Sequence, residues 1–288
     1  MSQPRAIVPN AGRPELPLLE YELFRRLIRD SFGLEYPPNK RELLRARLEG
    51  RVRANGLRRY GDYYRMLTYE PPGSDEWRRF AEVITNNETY FFREGKQLAA
   101  VAQVLPNAAP GRATPLRVLS AGCSSGEEAY GLAMVLASRL GRHGRFEVRG
   151  LDLSEAKLAE ARLARYQARS FRSDEPPPLG LDPNEYLSCE ADGSYTIRPF
   201  LRERVTFERA NLAHADSVAV HGEFDVVFCR NVLIYAEDDA LARFFASLAV
   251  LVKTGGYLFL GHSDGLDGAA SKFRLTRVGD LFAYVRTS

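Results

Sequence analysis

The sequence has few residues that could cross-link the chain or hold a metal ion. Its three cysteines, Cys123, Cys189 and Cys229, lie far apart in a chain of 288 residues, which fits neither a disulfide framework nor a C-x-x-C metal motif. We expect these thiols to be reduced and largely buried. The four histidines include no pair at i, i+4 of the kind that binds zinc on a helix, so we expect no metal site.

Long apolar runs and a strong net charge are also missing. No stretch approaches the ~18 apolar residues that a membrane-spanning helix needs. The N-terminus, MSQPRAIVPNAGRPELP, has no apolar core like that of a signal peptide. A net charge of +3 gives no support for a nucleic-acid-binding protein. We expect a cytoplasmic protein that does not insert into a membrane and that is, by default, a monomer.

The periodicity of apolar residues divides the chain into two parts. Residues 1–17 are predicted to form a disordered tail, residues 18–95 a small all-α domain, and residues 96–114 a linker. Strands then alternate with helices over residues 115–288, which predicts an α/β domain with a doubly wound, mostly parallel sheet. Within it, YLSCEADGSYTIRP has a central Asp-Gly that suits a type I′ turn, so a small antiparallel β-hairpin is predicted as an insert at about residues 168–200.

The stretch LSAGCSSGEEAY at residues 119–130 follows a predicted strand and opens a predicted helix. Its glycines and Ser124 match G-x-S-x-G, the nucleophile elbow of serine hydrolases, and His262 would be the later histidine of a triad. No acidic residue stands out between them. Glu127 and Glu128 would also place two carboxylates beside a site that must stabilise an oxyanion. These features disfavour the hydrolase interpretation.

A cofactor site is the second interpretation of the same stretch. A glycine turn between strand and helix lets the backbone approach a ligand, and Asp152 at the end of the next predicted strand can accept hydrogen bonds from ribose hydroxyls. For NAD, a pyrophosphate would lie at the helix start, where more anions are unfavourable. Glu127 and Glu128 suit a cofactor with a cationic head, such as S-adenosylmethionine.

Four motifs carry a resemblance to a known family. In order and spacing, TNNETYFFRE, AGCSSGEEAY, FDVVFCRNVLIY and GGYLFLGHSDGL resemble the CheR family of chemotaxis methyltransferases, and the resemblance runs from about Tyr21 to the C-terminus. It implies a Rossmann-like S-adenosylmethionine-dependent methyltransferase fold with an N-terminal all-α domain. It also implies protein-glutamate O-methyltransferase activity. The partners would be the cytoplasmic methylation helices of chemoreceptors, and the product of the cofactor would be S-adenosylhomocysteine.

The resemblance also assigns residues to the cofactor. Glu128 would hold its methionine part, Asp152 its ribose, and Asn211 with Leu212 its adenine side. The complete set of residues that would bind the cofactor is Asn87, Thr89, Arg93, Gly122, Glu128, Asp152, Asn211, Leu212, Arg230 and Asn231.

Catalytic and docking residues follow from the same resemblance. Arg93 would lie at the catalytic centre, and Tyr235 near the transferred methyl group. Lys40, Arg47 and Arg51 fall on one side of a predicted basic helix, where they would dock acidic receptor helices.

The chain departs from the usual sequence of the family at some positions, and one alternative function stays open. The family more often has proline and serine where this chain has Ala129 and Gly131. The alternative is a regulatory module that binds S-adenosylmethionine without transferring its methyl group, although the retention of Arg93 and Tyr235 opposes it. Whether the hairpin binds a receptor's C-terminal peptide is left open by its sequence.

Overall fold

The structure is a computed structural model that describes residues 15–104, 114–172, 174–232, 238–261 and 272–287. Within these ranges, no helix is both long enough and apolar enough to cross a membrane. The predicted disordered tail lies almost wholly outside the described residues, but Leu16 near its end is buried in the helical core.

Four helices form the N-terminal helical domain: α1 (Leu18–Phe32), α2 (Arg41–Ala54), α3 (Tyr60–Tyr69) and α4 (Asp75–Ile84). The apolar stripe of α2 is buried, as its i, i+4 spacing predicts. Aromatic rings fill the space between the helices, with Phe24, Tyr63 and Phe80 in mutual contact at centroid distances of 6.1–6.2 Å. Ser74 caps α4 by accepting a hydrogen bond from the Trp77 N–H at 3.4 Å.

The first half of the predicted linker is instead a helix, α5 (Gly95–Val104). Leu98 and Val101, one turn apart, are both fully buried, and the helix packs against α6 (Glu127–Leu140) of the α/β domain. A segment that buries apolar side chains at i, i+3 spacing belongs to the core, which is why it is ordered where a linker is expected.

A seven-stranded sheet forms the centre of the α/β domain, with strand order β6-β2-β1-β7-β8-β10-β9. The first five strands in this order run parallel, and the last two add antiparallel. The strands are β1 (Leu116–Ala121), β2 (Phe146–Asp152), β6 (Val205–Arg209), β7 (Phe224–Cys229), β8 (Val252–Leu260), β9 (Phe273–Val278) and β10 (Leu281–Arg286). The remaining helices are α7 (Glu155–Leu163), α8 (Pro199–Arg202), α9 (Ala215–Ala219) and α10 (Asp238–Leu251). This confirms the predicted doubly wound fold.

The insert is a three-stranded antiparallel sheet of order β3-β5-β4. The predicted hairpin is present as β4 (Leu187–Cys189) and β5 (Tyr195–Ile197), with Gly193 at φ +78° in its turn. A third strand, β3 (Arg165–Tyr166), was not predicted, because two residues show no periodicity. Cys189 is exposed here, which corrects the expectation that the thiols are largely buried; Cys123 and Cys229 are buried.

Strand order reverses between β1 and β7, the two central neighbours that lead to opposite halves of the sheet. In doubly wound sheets a ligand binds outside the carboxyl ends of the strands at such a switch point. Gly122 follows β1, and Arg230 follows β7, so the fold brings two of the predicted site motifs together.

Candidate cofactor and active site

A cavity of about 390 Å³ lies between the helical domain and the carboxyl ends of β1, β2 and β7. All ten predicted cofactor-binding residues line it: Asn87, Thr89, Arg93, Gly122, Glu128, Asp152, Asn211, Leu212, Arg230 and Asn231. Lys40 and Arg47 also line it, whereas Arg51 does not, and Tyr235 lies outside the described residues. The fold therefore brings three of the four motifs, TNNETYFFRE, AGCSSGEEAY and FDVVFCRNVLIY, to one place.

Tight turns bring the backbone to the cavity. Gly122 has φ +83°, and a Cβ at this position would collide with Val232. Ser124 also has positive φ, at +49°, and its strain is offset by a hydrogen bond from its N–H to Asp152 Oδ2 at 2.8 Å. Asn231, directly after Arg230, has φ +58°. Left-handed backbone in non-glycine residues therefore occurs where β1 and β7 reach the cavity.

Asp152 is held at the end of β2 by backbone donors. Its Oδ2 accepts the Ser124 N–H at 2.8 Å, and its Oδ1 accepts the Ser154 N–H at 2.9 Å. Its side chain is buried, and burial raises the pKa of the carboxyl above its usual value, although the backbone hydrogen bonds oppose this shift. A carboxylate has about four lone-pair sites, so it retains acceptor capacity toward a ligand in the cavity.

Glu128 and Arg230 form a buried ion pair across the switch point. Arg230 Nε donates to Glu128 Oε2 at 2.7 Å, and Ser120 Oγ donates to Glu128 Oε1 at 2.7 Å. The arginine side chain is only 2% exposed. Separating the two side chains would leave buried charges unpaired, which is energetically costly. The pair therefore holds the first turn of α6, which carries Glu128, against the end of β7, which precedes Arg230.

The same arginine holds the segment of residues 85–94. Arg230 Nη1 donates to the Arg93 carbonyl at 2.9 Å, and Ser124 Oγ donates to the Asn87 carbonyl at 3.1 Å. Phe92 and Glu94, on either side of Arg93, have φ of +63° and +53°. The Arg93 side chain donates to the Glu88 carbonyl at 3.2 Å. The segment is thus fixed by its backbone while its arginine lines the cavity.

The geometry of the described residues gives the hydrolase interpretation no support. The Ser124 hydroxyl donates to a backbone carbonyl, as described above, rather than to a base. No histidine is among the described residues that line the cavity. His262, the candidate base, lies outside the described residues. Ser124 serves as part of the turn, where its N–H and its hydroxyl connect β1 to Asp152 and to the segment of residues 85–94.

Comparison with known proteins identifies the family. Residues 87–280 match the model described as CheR methyltransferase, SAM binding domain, and residues 19–85 match CheR methyltransferase, all-alpha domain. The chain belongs to the CheR methyltransferase family. It is an S-adenosylmethionine-dependent methyltransferase, and the predicted cofactor is confirmed.

Curated relatives of this CheR protein cover most of its length. It is 32% identical over 267 residues to chemotaxis protein methyltransferase 2 of Vibrio cholerae, spanning 91% of each chain. It is 35% identical over 266 residues to the chemotaxis protein methyltransferase of Salmonella typhimurium, spanning 88% of this chain and 86% of the relative. A probable biofilm formation methyltransferase, WspC of Pseudomonas putida, is 32% identical over 265 residues, spanning 91% of this chain and 61% of the relative.

The residues present fit S-adenosylmethionine. Asp152 would offer an oriented carboxylate to the ribose hydroxyls, and Glu128 would offer one to the ammonium of the methionine part. The glycine at position 122 leaves no side chain between the turn and the cavity. Leu212, also on the cavity, would supply an apolar surface for adenine. When bound, the cofactor supplies an electrophilic methyl group on its sulfonium sulfur.

Glu127 has a different environment from Glu128. It accepts hydrogen bonds from Ser125 Oγ at 2.8 Å and Ser170 Oγ at 3.1 Å, and it lines a second cavity beside the insert. Burial raises the pKa of its carboxyl. The sequence-based interpretation gave both glutamates to the cationic head of the cofactor, and only Glu128 lies on the cofactor cavity.

The predicted docking residues are not one open basic surface. Arg51 Nε donates to Glu76 Oε1 at 2.9 Å, and the arginine is only 15% exposed. Arg47 Nη1 donates to Tyr36 Oη at 2.6 Å and to the Ile84 carbonyl at 2.8 Å. Of the three predicted residues, only Lys40 is exposed. Arg47 thereby anchors the end of α4, immediately before the segment of residues 85–94.

Sequence reasoning missed the part of the cavity wall that the helical domain supplies. The residues concerned follow or end α1 and are Phe32, Leu34, Glu35 and Tyr36. The Glu35 side chain is 4% exposed, and its Oε1 accepts a hydrogen bond from Arg25 Nη2 at 2.8 Å. No local pattern marks these residues, because their place at the cavity depends on how α1 is seated on the α/β domain.

Proposed function

We propose that the protein transfers the methyl group of S-adenosylmethionine to glutamate side chains on the cytoplasmic methylation helices of chemoreceptors. The products would be a glutamate methyl ester and S-adenosylhomocysteine. The names of the Vibrio and Salmonella relatives support a chemotaxis role. The single observation that favours a carboxylate substrate is Arg93, a cation on the cofactor cavity whose backbone carbonyl is held by Arg230.

A glutamate substrate suits this site chemically. Its carboxylate is ionised near neutral pH, so it can attack the methyl group without a general base. The task of the protein is then to align the two reactants and to exclude water. The helical domain, whose residues form one wall of the cavity, contributes to the exclusion of water.

Arg93 is suited to steer the carboxylate without clamping it. Its guanidinium already contacts the Glu88 carbonyl at 3.2 Å and lies 5.7 Å from the centroid of the Tyr90 ring. A tighter ion pair would stabilise the substrate more than the transition state, in which the carboxylate loses its charge. Tyr235 stays a predicted second group near the methyl. Lys40 is the exposed cation that we propose meets the acidic receptor helix, in a contact that weakens with salt.

Methyl transfer from radiolabelled S-adenosylmethionine to receptor cytoplasmic fragments tests the proposed function. We expect protein-bound label that base releases as volatile methanol, because methyl esters hydrolyse in base whereas methylated amines and ethers do not. The matched control is a fragment whose methylation-site glutamates are changed to alanine, and it should take up no base-labile label. Base-stable label would show a different acceptor. Cofactor binding with no transfer to any receptor would favour the regulatory module.

A further inference from the structure

The C-terminal end of α1 is completed by side chains of the α/β domain. Gly33 ends the helix in the left-handed conformation, at φ +67°, and its N–H donates to the Arg29 carbonyl at 2.9 Å. The carbonyls of Asp30 and Ser31, in the last turn, have no N–H donor within the helix. A helix end against another domain needs partners for these groups.

Three residues far along the chain supply those partners. Arg243 on α10 donates from Nη2 to the Arg29 carbonyl at 2.9 Å and from Nη1 to the Asp30 carbonyl at 3.0 Å. Two further contacts converge on the Ser31 carbonyl, from Asn211 Nδ2 at 2.8 Å and His214 Nε2 at 3.1 Å. The cation of Arg243 also faces the negative end of the helix dipole.

Packing at the same point leaves little freedom. A Cβ on Gly33 would lie 2.5 Å from Phe244 Cε2 and 3.0 Å from Ala213 Cβ. Phe244 is the residue after Arg243 on α10, is 2% exposed, and lines the cofactor cavity. The end of α1 is therefore seated directly beside the cavity.

A second helix-end contact joins the domains near the segment of residues 85–94. Glu82 on α4 accepts a hydrogen bond at Oε1 from the N–H of Ala156, in the first turn of α7, at 3.2 Å. Here an anion of the helical domain meets a helix N-terminus of the α/β domain, the reverse of the Arg243 arrangement.

We propose that Arg243 and Glu82 are positioning residues that clamp the helical domain onto the α/β domain and thereby complete the cofactor cavity. The clamp acts through the residues that it holds. Phe32 at the end of α1, residues 34–36 after it, and residues of the segment that follows α4 all line the cavity. Asn211 then has a part in the clamp in addition to its predicted place beside adenine. The proposal concerns cofactor affinity and does not depend on which substrate is methylated.

Calorimetric titration of full-length variants with S-adenosylmethionine tests the clamp. We expect Arg243→Ala to bind the cofactor about tenfold more weakly than the unchanged protein, because two charge-assisted hydrogen bonds that hold the cavity wall are lost. Arg243→Lys keeps the charge but not the two-pronged donor, and it should recover part of the affinity. Glu82→Ala removes an exposed contact at little risk to folding and should weaken binding by about twofold to threefold.

Arg204 provides a matched control. It also donates to backbone carbonyls, those of Arg142 at 3.0 Å, Gly144 at 2.5 Å and Phe146 at 3.5 Å, but it lies before β6 at the amino edge of the sheet. Arg204→Ala should lower thermal stability and leave cofactor affinity within about twofold of the unchanged protein. In hydrogen exchange, the amides of residues 30–36 should exchange faster in Arg243→Ala and not in Arg204→Ala.

Two outcomes would overturn the clamp. One is unchanged cofactor affinity in both Arg243→Ala and Glu82→Ala. The other is an equal loss of affinity in Arg204→Ala, which would mean that general destabilisation explains the effect. If Arg243→Ala does not fold, Glu82→Ala and Arg243→Lys decide between these outcomes.

Discussion

Replacing Arg230 with methionine should abolish measurable cofactor binding and lower the free energy of unfolding by about 3–5 kcal/mol. The arginine is 2% exposed and bonds both Glu128 and the Arg93 carbonyl. Methionine has a comparable apolar stem but no donor, so the Glu128 carboxylate would remain buried without its cation. The turn after β1 and the segment of residues 85–94 would lose their common anchor.

Chemical denaturation and cofactor titration measure the two effects of Arg230→Met. The control is Arg165→Met, which removes an ion pair with Asp192 on the surface of the insert, where the two side chains are 51% and 55% exposed. Exposed pairs contribute about 0–1 kcal/mol, so this variant should stay close to the unchanged protein. An Arg230→Met protein with normal stability and affinity would show that the ion pair is dispensable.

Asp152→Asn should weaken S-adenosylmethionine binding by about 100-fold, the loss expected from two charge-assisted hydrogen bonds. An asparagine has one acceptor oxygen, whereas Asp152 uses both carboxylate oxygens for the N–H groups of Ser124 and Ser154. The amide nitrogen would therefore face a backbone N–H, and the turn would open. Asp182→Asn is a matched control, since Asp182 also accepts a backbone N–H, that of Asn184 at 2.9 Å, on an exposed loop.

The pH dependence of cofactor binding provides a second check on Asp152. Burial raises the pKa of this carboxyl above its usual value, and the ribose hydroxyls that we propose it binds would donate best to its ionised form. The protein should bind the cofactor with full affinity at pH values above the raised pKa of Asp152. The affinity should fall as the pH drops through that pKa, and the fall should begin at a higher pH than the usual titration range of an aspartate. Protonation of this group favours the fold itself, because the folded chain binds the proton more tightly than the unfolded chain. Asp152→Asn should lose this pH dependence of affinity; an unchanged profile would assign it to another group.

Local patterns sufficed for the central elements of the fold. Short apolar runs and glycine turns predict strands alternating with helices over residues 115–288, and the structure has this alternation in β1, α6, β2 and α7. The elements that were missed depend on partners distant in sequence. Helix α5 is defined by its packing against α6, and β3 by pairing with β5.

The site was predictable where it consists of residues at strand ends. Asp152 ends β2, and Glu128 and Arg230 come after β1 and β7. Because these three strands run parallel, the alternation of strands and helices already places the three residues at the same edge of the sheet. The internal bonds of Arg47 and Arg51 were not predictable, since their partners Ile84 and Glu76 lie 37 and 25 residues away. A helical stripe gives the direction of a side chain but not what another helix places beside it.

Titration of matched variants at the glycine turn with S-adenosylmethionine tests the cofactor site most directly. Ser124→Ala removes one hydroxyl that bonds the Asn87 carbonyl, and its affinity should stay within about fivefold of the unchanged protein. Glu128→Ala removes the closer carboxylate partner of the buried Arg230, leaving only Glu94 at 3.8 Å, and should lose at least about 100-fold in affinity. The reverse pattern, with Glu128→Ala binding normally and Ser124→Ala failing, would contradict the assignment of this turn and return Ser124 to the centre of the chemistry.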